Sequence, residues 1–248
     1  MKFLSLWLAV LAPIIACSQG PSKFSKYSIG IEVNVGHSFP NLQPEQTHWK
    51  GTFYPAGGIS LCVSNRINQK WISDLGIGIT GYALTNKGSV DKYVLNFASP
   101  TISTGISYNF FNRKGKENFL KVTTGLQAGY QGAFTDEFET YSVEIEGKSI
   151  VYPYVRPEIG IRRYFKKRMK GSRFKMAYEF GTFFRYNILT LGKVTITEQD
   201  FEIAFQPNGN ILGGYFKVLF PTGRKRVKMK KESAKELPPI IYNPRFLK

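Results

Sequence analysis

Apolar and polar residues alternate along most of this chain. Within residues 27–36, Tyr27, Ile29, Ile31, Val33 and Val35 take every second position, and Ser28, Gly30, Glu32, Asn34 and Gly36 fill the gaps. Successive side chains of a strand point to opposite faces, so this pattern predicts a strand with one apolar and one polar face. The alternation returns in residues 56–64, 73–82, 100–110, 120–130, 156–165, 174–185 and 213–220, which makes eight predicted strands. Most exceed the five or six residues usual for soluble proteins.

Connection lengths alternate too. Short polar turns follow strands two, four and six: "NRINQK" (65–70), "NRKGKEN" (112–118) and "KKRMKGSR" (166–173). Longer segments follow the odd strands, near 40–52, 84–92, 134–150 and 187–210. Short turns at one end and long loops at the other suit an up-and-down barrel that crosses a membrane. Alternation alone does not tell inside from outside, so a soluble barrel is the rival reading. The polar faces are rich in Gly and Ser, which suits a cramped lumen. The apolar faces end in Tyr27, Trp71, Phe110, Phe119, Phe174 and Phe220 near the short turns, as interfacial girdles do. The expected fold is therefore all-β: an eight-stranded antiparallel up-and-down transmembrane β-barrel with short periplasmic turns, longer outer loops and a basic C-terminal tail.

The segments "TGISYNFF" and "EIGIRRYF" carry a Gly-apolar-x-aromatic strand end that runs into a basic turn. They resemble strand ends in the small outer-membrane β-barrel proteins of Gram-negative bacteria, the OmpA-like transmembrane domain and porin-family-like single-domain barrels. The resemblance is one of pattern across residues 27–220. It implies an outer-membrane location with both termini periplasmic, contact with outer-membrane lipid and lipopolysaccharide, and a last strand ending at Phe220 that signals to the barrel assembly machinery. The 28 residues after Phe220 depart from single-domain members.

The N-terminus agrees with export. "MKFLSLWLAVLAPIIACSQ" has one Lys, an apolar run from Phe3 to Ile15 and small residues after it, the order of a secretory signal. Two fates stay open: cleavage after Ser18, or lipidation of Cys17 within "IIAC". The expected division is a signal peptide (1–18), a barrel (19–221) and a basic periplasmic tail (222–248). After cleavage only Cys62 remains, so no disulfide framework is expected.

Charge then sharpens the picture. Thirty-four Lys/Arg against 17 Asp/Glu give a formal +17. The acids Glu32, Asp74, Glu158 and Glu179 all fall on the polar parity of their strands. So do Lys121, Arg156, Arg162, Lys175, Arg185 and Lys217. An eight-stranded barrel is just wide enough for side chains to fill, so these ten are expected to form a lumen charge network. The three short turns are basic, with Glu117 their one acid, whereas loop three holds Asp136, Glu137, Glu139, Glu144 and Glu146. The tail adds Arg224, Lys225, Arg226, Lys228, Lys230 and Lys231, and further on Tyr242 and Phe246, the composition of a docking peptide. A basic periplasmic face suits peptidoglycan or an envelope protein complex. Nucleic acid is not expected in that compartment.

Two irregularities remain. Pro100 and Pro157 lie inside predicted strands, where a missing N–H predicts a bulge or a broken ladder. The segment 192–205 has its own alternation around "EQD" and predicts a hairpin projecting past the membrane. Loop three is expected to do the same around "EGK", with ten barrel strands as the alternative if either hairpin inserts. Exposed edges of such hairpins would suit strand addition by a partner.

The expected function is non-enzymatic: a membrane anchor, scaffold or envelope-complex subunit, with no cofactor and no metal. One alternative is a lipid A-modifying enzyme, for which His37 beside Ser38 is the one candidate pair; neighbours in a strand face opposite ways, which argues against it. The other is a narrow channel or solute conduit.

Overall fold

The structure, a computed structural model, describes residues 26–39, 49–52, 56–86, 94–113, 115–129, 131–137, 142–165, 175–198 and 201–222. Its strands are β1 (Tyr27–Phe39), β2 (Trp49–Gly51), β3 (Gly57–Arg66), β4 (Trp71–Asn86), β5 (Val94–Arg113), β6 (Lys116–Ala128) and β7 (Gln131–Glu137). They continue as β8 (Ser142–Lys148), β9 (Val151–Tyr164), β10 (Ala177–Asn187), β11 (Lys193–Glu198), β12 (Phe201–Phe205) and β13 (Asn210–Pro221). Eight of them close a barrel in the order β1-β3-β4-β5-β6-β9-β10-β13, every pair antiparallel, and β13 returns to β1 from Ser28↔Pro221 to Phe39↔Asn210. Each barrel strand pairs with the next barrel strand in the chain. The topology is up-and-down.

The barrel is inverted relative to a water-soluble one. On β1, Glu32 is 4% exposed while Ile31 and Val33 beside it are 43% and 47% exposed. The same parity holds elsewhere: Leu61, Ile77, Ile102, Val122, Ile159 and Phe216 face out, and Ser64, Asp74, Lys121, Glu158 and Lys217 face in. Polar residues fill the lumen and apolar ones form the outer wall.

The first two short turns prove shorter than the sequence suggests, whereas β9 and β10 stand further apart in the chain, ending at Tyr164 and beginning at Ala177. β3 runs through Arg66, and β5 and β6 are joined by residues 114–115 alone, with Gly115 at φ +82°, where a side chain would be strained. Residues 116–118 therefore belong to the barrel wall. Phe119, expected in the outer girdle, is fully buried in the lumen. The correction follows from parity: Phe119 shares the inward register of Lys121 and Thr123. Phe174 lies outside the described residues.

The two prolines interrupt pairing without a bulge. The β9–β10 ladder passes from Phe183↔Glu158 to Tyr186↔Val155 in constant register, skipping Arg156 and Pro157. The β5–β6 ladder stops at Thr101↔Gln127, one residue before Pro100, while Pro100 still pairs with Ile79 on β4. The register shift in the β5–β6 ladder lies elsewhere, between Asn109 and Phe111.

At the long-loop end a second sheet has the order β12-β11-β8-β7. It repeats the barrel order β13-β10-β9-β6, so four neighbouring wall strands continue past breaks at 129–130, 149–150, 188–192 and 206–209. The hairpin over 193–205 matches expectation. Loop three does not fold back at "EGK": β7 and β8 pair from Gln131↔Lys148 to Glu137↔Ser142, Glu146 and Gly147 lie in β8, and Glu146 pairs with Lys193. The barrel keeps eight strands because the hairpins pair with each other through β8 and β11. One face of this sheet, with Val143, Val194, Ile196 and Phe205, joins a single buried cluster with Tyr82 and Leu84 of β4, Leu191, and lumen-facing Phe183 and Ile211. Since β4 lies across the barrel from β10, the sheet folds over the mouth as a hood.

Candidate functional site

Inward parity brings ten charged side chains from seven strands into one line. Starting near the short turns, Arg66 of β3 meets Glu117 of β6 at 2.8 Å. The same carboxylate oxygen lies 2.9 Å from Arg162 of β9, which reaches Glu179 of β10 at 2.5 Å. Glu179 is 3.7 Å from Lys217 of β13, and Lys217 is 3.0 Å from Asp74 of β4. Asp74 meets Lys121 of β6 at 2.9 Å, and Lys121 lies 3.5 Å from Glu158 of β9. Glu158 is 3.4 Å from Arg156, which ends the line on Glu32 of β1 at 2.7 Å. Signs alternate at every step, with five acids and five bases. The line is neutral.

Neutral groups take up part of the remaining hydrogen-bonding capacity, as buried charges require. Ser64 donates to Asp74, and Thr123 donates to Glu158 at 2.6 Å. Glu117 also accepts from Tyr164 at 3.2 Å and from the Asn109 amide at 3.4 Å. Aromatic faces cover the guanidinium groups: Arg156 lies 4.2 Å from the Phe183 ring centre and Arg162 lies 5.2 Å from that of Phe119. Phe119 therefore serves the charges instead of a lipid interface. Small residues make the room. A β-carbon on Gly160 would stand 2.7 Å from the Tyr215 hydroxyl and 2.8 Å from Phe119.

Of the ten residues named from sequence, Glu32, Asp74, Lys121, Arg156, Glu158, Arg162, Glu179 and Lys217 join this line. Arg185 faces the lumen but stands apart from it, held by Gln127, Asn187 and the Tyr154 ring. Lys175 corrects the expectation: it precedes β10 and is exposed, because the strand begins at Ala177 and parity no longer constrains the residues before it. Two members escape the sequence reading. Arg66 and Glu117 read as turn residues, although carrying the parity of Ser64 and Lys121 a few residues further places both inside. The tail residues Arg224, Lys225, Arg226, Lys228, Lys230, Lys231, Tyr242 and Phe246, the leader with Cys17, and His48 lie outside the described residues.

A polar cavity of about 40 Å³ adjoins the line, bordered among others by Ser60, Thr101, Ser103, Tyr154 and Arg185. One water needs roughly 10–15 Å³ by this measure, so the space suits a few waters. His37 and Ser38 do not form a pair. Ser38 is buried and bonds to the carbonyls of Thr52 and Ala83, whereas His37 faces out with its ring 5.7 Å from that of Phe39. On the hood, Glu137, Glu144, Glu146 and Glu202 are exposed. In comparison with known proteins, the chain matches no family model and no curated protein.

Proposed function

We propose that this protein is a transmembrane β-barrel of an outer membrane, a non-enzymatic anchor or envelope-complex subunit that presents its hood on one side and a basic tail on the other. The observation that carries the reading is the inverted barrel: a continuous apolar outer wall around a filled, paired lumen. Each of the twelve steps from Tyr27 to Phe39 advances about 3.3 Å, and at a tilt of about 40° they rise roughly 30 Å, enough to cross an apolar band of about 25 Å. A wall of exposed Ile, Val, Leu and Phe on every side would make a water-soluble protein aggregate, and it suits acyl chains.

The lumen supports an anchor over a conduit. Ten of its charges are spent on one another and its long-loop mouth lies under an apolar hood. What varies along such a molecule is what its ends display: acidic side chains on the hood, and basic residues in the tail. The tail then meets peptidoglycan or a partner protein, while the hood faces lipopolysaccharide or the exterior.

The test is affinity purification in mild detergent of the full chain and of a form lacking residues 222–248. The reading predicts partners that copurify with the full chain and are lost with the tail. Recovery of the same partners by both forms would move the docking surface to the hood.

A further inference from the structure

Among the described residues, Arg185 is the one lumen cation that the alternating line leaves out. It is 5% exposed, and its contacts are all neutral: Nε donates to Asn187 at 3.2 Å, Nη2 donates to the Gln127 amide oxygen, and the guanidinium carbon lies 3.9 Å from the Tyr154 ring centre. No carboxylate among the described residues pairs with it. The line itself sums to zero, so Arg185 gives the described lumen an excess of one positive charge. A buried charge without a counter-charge is strongly disfavoured, and neutral dipoles or a ring face lower that cost without cancelling it.

Arg185 borders the polar cavity of about 40 Å³ together with Arg156 and the hydroxyl-bearing Thr101 and Ser103. Arg156 is itself paired, with Nη2 2.7 Å from Glu32 and Nε 3.4 Å from Glu158, so it adds positive charge beside the space. Those two carboxylates and Asp74 border the same space, but each is already engaged: Glu32 by Arg156, Glu158 by Arg156, Lys121 and Thr123, and Asp74 by Lys121, Lys217 and Ser64. The cavity exceeds the roughly 10–15 Å³ needed for one water, so a monatomic anion fits it.

We propose that this cavity is a binding site for a small inorganic anion of the halide class, held by Arg185 with Arg156 behind it. The anion supplies the counter-charge that the described residues lack. The site stands independently of the membrane and partner readings above, since it rests only on lumen geometry.

The test is thermal unfolding of the refolded full chain in detergent, followed by its heat-modifiable gel shift. Sodium bromide or chloride is exchanged for sodium gluconate at constant ionic strength. Wild type is expected to gain about 2–4 °C saturably with halide, because a ligand that binds only the folded state stabilises by mass action. Gln127→Glu places a carboxylate where Arg185 already makes a hydrogen bond, so this variant is expected to lose the halide dependence and to match halide-loaded wild type. Arg185→Met is expected to lose the dependence as well. Should Arg185→Met fail to fold, bromide anomalous scattering from wild-type crystals gives an independent readout, with a peak expected beside Arg185. Coincident halide and gluconate curves for wild type, an undiminished dependence in Gln127→Glu, or no bromide peak at Arg185 would each overturn the proposal.

Discussion

Lys217 of β13 and Asp74 of β4 meet at 3.0 Å inside the barrel, although 143 residues separate them along the chain. Two strands, β1 and β3, stand between theirs in the wall, so the contact bridges the lumen. Asp74 also holds Lys121 at 2.9 Å, which makes it the joint between the two halves of the charged line. Removing one partner from a buried ion pair leaves the others uncompensated, a loss of about 3–5 kcal/mol. Asp74→Asn takes the nearer carboxylate from two lysines at once, leaving Lys217 with Glu179 at 3.7 Å and Lys121 with Glu158 at 3.5 Å. It is expected to destabilise the fold by that amount, read as a lower urea midpoint of unfolding. Equal stability of Asp74→Asn and wild type would show that the line contributes nothing.

Glycine positions separate lumen packing from wall packing. A β-carbon added at Gly160 would stand less than 3 Å from both the Tyr215 hydroxyl and Phe119, whereas the nearest atom to one added at Gly214 is the Gly181 carbonyl oxygen at 3.5 Å. Gly160→Val is therefore expected to cost about 1–3 kcal/mol through overpacking, and Gly214→Ala less than about 0.5 kcal/mol, the size of an ordinary surface change. Parallel urea titrations of the two variants check the contrast. Loss of the same size in both would mean that the lumen has slack where the structure shows none.

The hood supplies a prediction of its own. Val194 is fully buried between the hood and the barrel rim, and Ile196 and Phe205 lie beside it in the same cluster. Val194→Asp puts a charge into that apolar layer, so the hood is expected to detach while the barrel below stays closed. Limited proteolysis of protein in lipid vesicles should then cut within 193–205 roughly ten times faster than in wild type or more, on the order expected for an opening cost lowered by about 1.4 kcal/mol. The barrel fragment should still migrate as a folded species. Unchanged cleavage would indicate that the hood does not depend on this layer.

Much of this architecture is legible in the chain because a barrel strand repeats with period two over many residues. Strand number, antiparallel order and the inward face of Glu32, Asp74 or Lys217 all follow from that repeat. What the repeat does not carry is where a strand ends. Arg66 and Glu117 look like turn residues because basic, polar composition is common to turns and to a charged lumen; only Gly115 marks the β5–β6 turn. Lys175 errs the other way, continuing a parity past the strand it belongs to. The pairing of β8 with β11 is beyond reach for a different reason. Two hairpins roughly 50 residues apart each show alternation, and nothing local says that their edges meet. The same limit hides the contact between Arg185 and Gln127, 58 residues apart, and with it the missing counter-charge.

Whether the apolar wall faces lipid is read directly by site-directed spin labelling. Nitroxides at Ile31, Ile77 and Ile159, each introduced through a single cysteine in a background lacking both Cys17 and Cys62, are followed in lipid vesicles by power saturation with oxygen and with a water-soluble nickel chelate. A label at Glu144 on the exposed hood serves as the aqueous reference. The account predicts that the three wall labels collide readily with oxygen and scarcely with the chelate, the reverse of the label at Glu144. Chelate access at Ile31, Ile77 and Ile159 equal to that at Glu144 would contradict it.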